Sequence, residues 1–416
     1  MHPATGASDL PLRIAMNHTR LADSGGVEAY IFRLVHALLA RGHAVDYFCA
    51  RVDRPIEHPA FRAFAVPQPR RPTSLRVALF ARRSARAIAR SSREAPYDVV
   101  QGFGRTWYQT VYRDGSGCHA DYKEAYLDRV KRRGWRRTHY RLFPTDRAVQ
   151  AIERWRYVAR PPRVVVAISR LVREQILRRY RMPPERVRVL YNGIDLERHH
   201  PRLAKAGRGE LLSALFGDAA RGHGGPAPRA LVFVGSDFGR KGLDLLIDAL
   251  AELEGEAELA KRRYAVAVVG RDHREERWRE RAARRGIGAR LRFLGYRDDV
   301  PSLLAGSDGL VLPSWFDAFG NVVAEALACG APVVASASCG SAEWVCNGEN
   351  GFVVTRQEPA CLARALRTLL LRDELGPLRE MARRTALAYP WDAHVDALLA
   401  LYREAASHGS LRSELT

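Results

Sequence analysis

Apolar residues along this chain fall into short, mostly unbroken runs, separated by longer stretches where they recur every three or four positions. In the first half the runs are Leu12–Met16, Val45–Cys49, Val99–Gln101, Val164–Ile168 and Val187–Leu190. In the second they are Leu231–Val234, Ala265–Val269, Leu291–Leu294, Leu310–Leu312, Pro332–Ala335 and Phe352–Val354. Such runs suit strands buried on both faces of a parallel sheet. Helical periodicity lies between them, as at Val27–Ala40 and Leu243–Leu253. Repeated strand–helix alternation predicts an α/β protein with doubly wound sheets. A length of 416 residues allows two or three domains. Glycines and prolines crowd Lys205–Arg229, which reads as a connection. The expected organisation is therefore two doubly wound α/β domains, 1–200 and 229–388, facing each other across a cleft. A linker, 201–228, joins them, and a closing helix at Trp391–Ala406 and a tail occupy 389–416.

Charge changes this picture by making the halves unequal. The whole chain carries +21, but residues 1–200 hold 38 Lys+Arg against 18 Asp+Glu, whereas residues 201–416 hold 29 against 28. A general preference for arginine over lysine is common to both halves and does not explain the asymmetry. A basic first half points to an anionic partner: nucleic acid, a membrane face or a phosphorylated substrate. Two segments concentrate it. Arg62–Arg93 contains nine arginines and no Asp, Glu or Lys, and Arg129–Arg141 contains seven cations and no acid. Wound as a helix, Leu75–Arg93 puts Arg76, Arg82, Arg83, Arg86, Arg90 and Arg93 on one face and Val77, Phe80, Ala81, Ala85 and Ile88 on another. That helix suits a membrane surface, or packs its apolar face on its own domain, or does both. No apolar run reaches 18 residues, so no spanning helix is expected. No secretory signal is expected at the N-terminus. The six cysteines are scattered without a Cys-x-x-Cys pair, which fits a reduced cytoplasm.

Candidate chemistry sits where strands give way to helices. Gly25 and Gly26 open the first long helix and would let backbone N–H groups approach an anion, although a glycine pair there is also an ordinary turn. After the first strand of the second half comes Gly235-Ser236-Asp237-Phe238-Gly239-Arg240-Lys241-Gly242. Arg240 as a planar fork and Lys241 as a point charge suit a diphosphate at the carboxyl end of the sheet. The most informative stretch runs from Pro313 to Val334. Asp317 lies in a loop, seven residues intervene, and Glu325 follows just over one turn into a helix. Backbone N–H groups of Phe319, Gly320, Asn321 and Val322 would face the cleft. A carboxylate so placed can accept from two sugar hydroxyls. In the first half, His119 is a candidate to orient donor or acceptor, with Asp114 and Asp121 behind it. A surface histidine is the equal alternative. Ser169 either lines the cleft or caps the next helix, the second being the better reading.

Taken together, Gly25-Gly26, Arg41-Gly42-His43-Ala44-Val45, Tyr191-Asn192-Gly193-Ile194-Asp195, Arg240-Lys241-Gly242, the Asp317/Glu325 pair and Asn350-Gly351 resemble the retaining glycosyltransferases of family 4, with the GT-B fold. The stretch Val234–Gly242 is most similar to the lipopolysaccharide core glucosyltransferase I subgroup, which adds glucose from UDP-glucose to an inner-core heptose. The resemblance implies roles. Glu325 would bind the nucleotide ribose, and Asp317, where the family usually has Glu, would contact donor-sugar hydroxyls. Arg240 and Lys241 would clamp the diphosphate beside Gly25 and Gly26. Tyr296 falls where the family contacts the base, and would equally serve as packing.

The implied enzyme moves a hexose, glucose first, onto a lipid-linked glycan. Mannose or an N-acetylhexosamine in exopolysaccharide or glycolipid synthesis is the alternative. No metal and no cofactor beyond the nucleotide sugar is expected: no two aspartates stand at i, i+2, so Arg240 and Lys241 would take the metal's place. The expected partners are a phosphorylated lipid-linked acceptor and the anionic inner face of the cytoplasmic membrane, with the protein cytoplasmic and peripheral there. A dehydrogenase would need Gly-x-Gly-x-x-Gly after a first strand, which is lacking. A nucleic-acid-binding protein would leave the acidic pair without a role, and no recognition module is present.

Overall fold

The structure, a computed structural model, describes residues 10–130, 143–217, 227–260 and 262–407. It divides into two compact units: residues 1–191 with 392–416, and residues 192–391. Most of the basic segment Arg129–Arg141 lies outside the described residues.

The first unit is built on seven parallel strands: β1 (Arg13–Asn17), β2 (Ala44–Cys49), β3 (Phe61–Ala65), β4 (Val99–Phe103), β5 (Val111–Asp114), β6 (Val164–Ala167) and β7 (Val187–Val189). Their order is β3-β2-β1-β4-β5-β6-β7, so the direction of winding reverses between β1 and β4. In register, Ile14 pairs with Val45 on one side and Val99 on the other. Helix α1 (Gly26–Ala40) buries Ile31, Leu34, Val35 and Leu38. Helix α2 (Thr73–Glu94) packs Phe80 and Ile88 on Ala15, Phe48 and Val100 of the sheet. Its Val77 and Ala81 meet Val149 and Ile152 of a later helix. The apolar face of α2 is therefore core, while Arg82, Arg83, Arg86, Arg90 and Arg93 are exposed.

The second unit repeats the plan with β8 (Arg229–Val234), β9 (Tyr264–Val269), β10 (Leu291–Gly295), β11 (Gly309–Leu312), β12 (Val333–Ser336) and β13 (Gly351–Val354), in the order β10-β9-β8-β11-β12-β13. Alternation along β8 sends Leu231 and Phe233 to one buried cluster and Ala230 and Val232 to another. Both faces are covered, which is why its strands read as continuous apolar runs. The winding reverses between β8 and β11, the place where open α/β sheets take ligands.

Three boundaries differ from expectation, the first being that the second unit already begins at 192, not after 200. A helix, Ala204–Phe216, occupies much of the segment read as a linker. Its Gly207 is a contact point rather than a flexible one, since a Cβ there would lie 1.7 Å from the Ser302 carbonyl oxygen. The rest of that segment, 218–226, lies outside the described residues. The closing helix, Trp391–Ser407, belongs from Asp392 onward to the first unit. Tyr30 of α1 hydrogen-bonds His394 at 2.8 Å, and Arg41 reaches Asp392 at 3.0 Å. Burial holds His394 well below the usual histidine value, at about 4, so it serves as a neutral bridge.

Candidate active site

In the second unit, the loops after β8 and β11 are stitched together at the reversal point. Gly242 has φ +83° and presses against the Pro313 carbonyl, where a Cβ would come within 1.9 Å. Trp315 donates its backbone N–H to the Arg240 carbonyl at 2.9 Å, and Arg240 returns a guanidinium hydrogen bond to the Phe316 carbonyl at 3.1 Å. The Trp315 indole donates to Asp244 at 2.9 Å. The two cations and the acidic loop residue are thus held by backbone as well as by side chain.

Lys241 forms an ion pair with Asp317, and Arg240 lies 3.6 Å from the same carboxylate oxygen. The lysine stem runs past Gly235, whose missing side chain leaves it room. Both Lys241 and Asp317 are largely buried. Burial alone would raise the Asp317 carboxyl; Lys241 and Arg240, aided by the Phe319 N–H, outweigh it and hold the group below the ordinary aspartate value. Asp317 is therefore an ionised counter-ion that fixes Lys241.

Beyond it, Gly320 has φ +77° and begins helix Asn321–Ala328. The turn 338–341 ties down the loop: Asp317 donates its N–H to the Ser338 carbonyl, while Gly340 and Ser341 donate theirs to Asp317 and Phe319. Asn321 accepts from Asn192 at 2.8 Å, whereas Phe319 and Val322 are buried. Of the N–H groups expected to face the cleft, that of Phe319 is turned onto Asp317. Glu325 is half-buried, and among the described residues its carboxylate has no hydrogen bond or ion pair. Burial first and the Glu325 charge second push the Cys329 thiol up to about 12. An open carboxylate one turn inside a helix is suited to accept from a ligand diol.

Tyr296 follows β10 and is 59% exposed, with the Arg271 guanidinium 5.0 Å from its ring centre. Its ring is therefore a surface group beside Arg271 rather than part of the core.

The first unit arranges its candidates differently from expectation. Gly25 has φ +95° and caps α1, so the backbone itself calls for glycine. Gly26 has open space where a Cβ would be. His119 starts a helix, His119–Arg129, and its ring lies 2.8 Å from Asp146, not from Asp114 or Asp121. Asp146 also pairs with Lys123 at 2.8 Å. Asp114 caps its own turn through the Ser116 and Gly117 N–H groups and accepts from Tyr157 at 2.7 Å. Asp121 is claimed by Arg178 and Arg179. These carboxylates stabilise the loop and helix rather than stand behind the histidine. Ser169 is fully buried and caps the helix Arg170–Tyr180 through the Val172 N–H, which removes it from any ligand surface.

Sequence reasoning missed several supports. Gln357 after β13 donates to the Ser314 and Trp315 carbonyls. Asp272 after β9 accepts from the Phe238 N–H at 2.9 Å. Asp146 lies 27 residues from its histidine. Only the position of the first two, just past a strand, marked them in the sequence.

Residues 24–198 match the profile described as Glycosyltransferase Family 4, and residues 225–387 the one described as Glycosyl transferases group 1. The chain belongs to these glycosyltransferases, enzymes of the GT-B fold with two Rossmann-like domains. The D-inositol 3-phosphate glycosyltransferase of Salinispora arenicola is 34% identical over 60% of this chain and 57% of its own. The chain thus spans little more than half the length of that relative. The lipopolysaccharide glucosyltransferase WaaG of Escherichia coli K12 is 28% identical over 79% of this chain and 82% of its own. A crystal structure of WaaG, a glycosyltransferase involved in lipopolysaccharide biosynthesis, superposes with a TM-score of 0.75 over 94% of this chain and 99% of that one. Anabaena HepE, solved with UDP-glucose, shares the fold at a TM-score of 0.63 and 19% identity, over 95% of this chain and 100% of its own.

Proposed function

We propose that this protein is a retaining, metal-independent hexosyltransferase that moves glucose from UDP-glucose onto a lipopolysaccharide inner-core heptose or a similar lipid-linked glycan. The observation that carries the reading is the fixed Arg240–Lys241–Asp317 ion cluster at the strand-order reversal, followed by the open carboxylate of Glu325. Breaking a nucleotide–sugar bond leaves a diphosphate that gains negative charge in the transition state. Cations held in place beforehand stabilise that charge without reorganising, often the largest catalytic contribution. Lys241 has three N–H donors, so it can keep Asp317 and still reach a phosphate oxygen. Asp317 then contacts the donor sugar through its remaining oxygen or a water, and Glu325 takes the ribose hydroxyls. Arg271 and Tyr296 present a planar surface to the base. HepE binding UDP-glucose and the glucosyl transfer in the name of WaaG support this donor.

The acceptor is assigned to the first unit, with His119, held by Asp146, orienting it or the donor. We further propose that this unit docks on the anionic inner face of the cytoplasmic membrane, with no specific nucleic acid as partner. The exposed arginines of α2 support this, each worth about 1 kcal/mol near an anionic leaflet before screening. No described helix is long and apolar enough to cross a membrane. Mannose or an N-acetylhexosamine is a second donor reading, favoured by the shorter Asp317, which leaves room for a different sugar substituent.

Glu325→Ala tests the donor site by calorimetric titration with UDP. Loss of a charged hydrogen-bond acceptor predicts binding weaker by about tenfold or more. Unchanged affinity would remove Glu325 from the ribose.

A further inference from the structure

We propose that the π-helical turn Trp155–Ala159 is the point at which the first unit enters an anionic bilayer, with Trp155 and Val158 as its apolar anchor; this rests on the membrane-docking reading above. Helix Pro144–Arg154 runs directly into this turn, which is closed by the Arg160 N–H donating to the Trp155 carbonyl at 2.7 Å. Arg156 and Tyr157 point inward: the Arg156 guanidinium lies 3.7 Å from the Tyr112 ring centre, and Tyr157 donates to Asp114. Trp155 and Val158 point outward and are 41% and 57% exposed.

Among the described residues, neither side chain is covered by the unit's own packing. Their surroundings do suggest an occupant. Arg154 and Arg160, which bracket the turn, are exposed. The Trp155 ring lies against Trp107 at 5.8 Å, and Trp107 packs on the cluster joining α2 to the helix Pro144–Arg154. Trp155 is thus joined, through Trp107, to the seam between α2 and the helix Pro144–Arg154. Tryptophan set among cations is the composition of a segment lying at the headgroup level, its ring among the acyl chains and its neighbours on the phosphates. The apolar face of α2 cannot do this, because it is buried in the sheet and against Val149 and Ile152. Charge and anchor therefore come from different elements: α2 attracts, the π turn inserts.

Flotation of the full-length protein with phosphatidylcholine vesicles, alone or containing phosphatidylglycerol, tests this with three variants. Trp155→Ala/Val158→Ser is expected to bind anionic vesicles roughly tenfold more weakly than the parent at every salt concentration, since both side chains are on the surface and their loss removes only buried apolar area at the membrane. Trp155→Phe should keep most of the binding yet lose quenching of tryptophan fluorescence by brominated acyl chains. Arg82→Glu/Arg86→Glu should weaken binding at low salt and leave that quenching intact in the bound fraction. If the anchor variant binds like the parent while the arginine variant does not, docking is purely electrostatic and the anchor is wrong. If the parent binds neither vesicle, the docking reading and the anchor fall together, while the donor site stands.

Discussion

Gly320 carries a strict steric requirement beside the proposed donor site. Its φ of +77° is a left-handed conformation, and a Cβ there would lie 2.4 Å from the Cys339 sulfur and 3.5 Å from an Asp317 carboxylate oxygen. Gly320→Ala is expected to cost roughly 1–2 kcal/mol for the backbone alone and to push Asp317 off Lys241. Lower thermal stability together with a raised KM for the nucleotide sugar is the expected result. Normal kinetics would mean that the loop tolerates displacement. At this scale the sequence was readable where a residue type was unusual for its place. Paired cations beside glycines, or an acid followed by another eight positions on, stand out against a helix and strand background. Asp114, Asp121 and Ser169 carried the same residue types, but their roles depend on Tyr157, Arg178, Arg179 and a helix end. Those partners are distant in the chain or generic in composition, so nothing local separated a structural carboxylate from a catalytic one.

Among the elements, the helix Ala204–Phe216 shows how composition misleads. Glycine there permits contact rather than disorder. Gly207 meets the Ser302 carbonyl, and Gly306 in turn meets the backbone of Gly207 and Arg208, so two helices touch backbone to backbone. Gly207→Ala is therefore predicted to destabilise the second unit by about 1–3 kcal/mol through overpacking. Chemical denaturation followed by tryptophan fluorescence would show an earlier midpoint; a midpoint within error of the parent would mean the helices separate at little cost. Eleven strands were anticipated from apolar runs, and two in the first sheet were not. Phe61–Ala65 is one of the two edge strands, with three of its five residues exposed and Arg62 turned onto Asp46. Val111–Asp114 is fully buried but half charged, because Arg113 lies 3.7 Å from the Tyr30 ring centre and Asp114 closes its own turn. An edge position and an internal charge each erase the apolar signature on which strand recognition depends.

Viewed whole, the molecule divides its labour by charge. Residues 1–191 with 392–416 hold 39 Lys+Arg against 20 Asp+Glu, leaving 28 against 26 for residues 192–391. The basic excess thus follows the unit assigned to the acceptor and the membrane. The nearly neutral unit keeps its few decisive charges at the reversal of its sheet. The two-domain α/β plan was legible because each half repeats the same alternation, whereas the return of the final helix to the first unit was not. That return depends on His394 meeting Tyr30, 364 residues away in sequence. The central claim is metal-free transfer from a nucleotide sugar, driven by cations at that reversal. It is tested most directly by nucleotide release from a panel of UDP-sugars in EDTA, with a core-oligosaccharide acceptor, for the parent and Lys241→Met. The expected result is turnover of UDP-glucose that EDTA leaves unchanged and that Lys241→Met lowers by about a hundredfold or more. Turnover abolished by EDTA, or no release from any UDP-sugar, would contradict it.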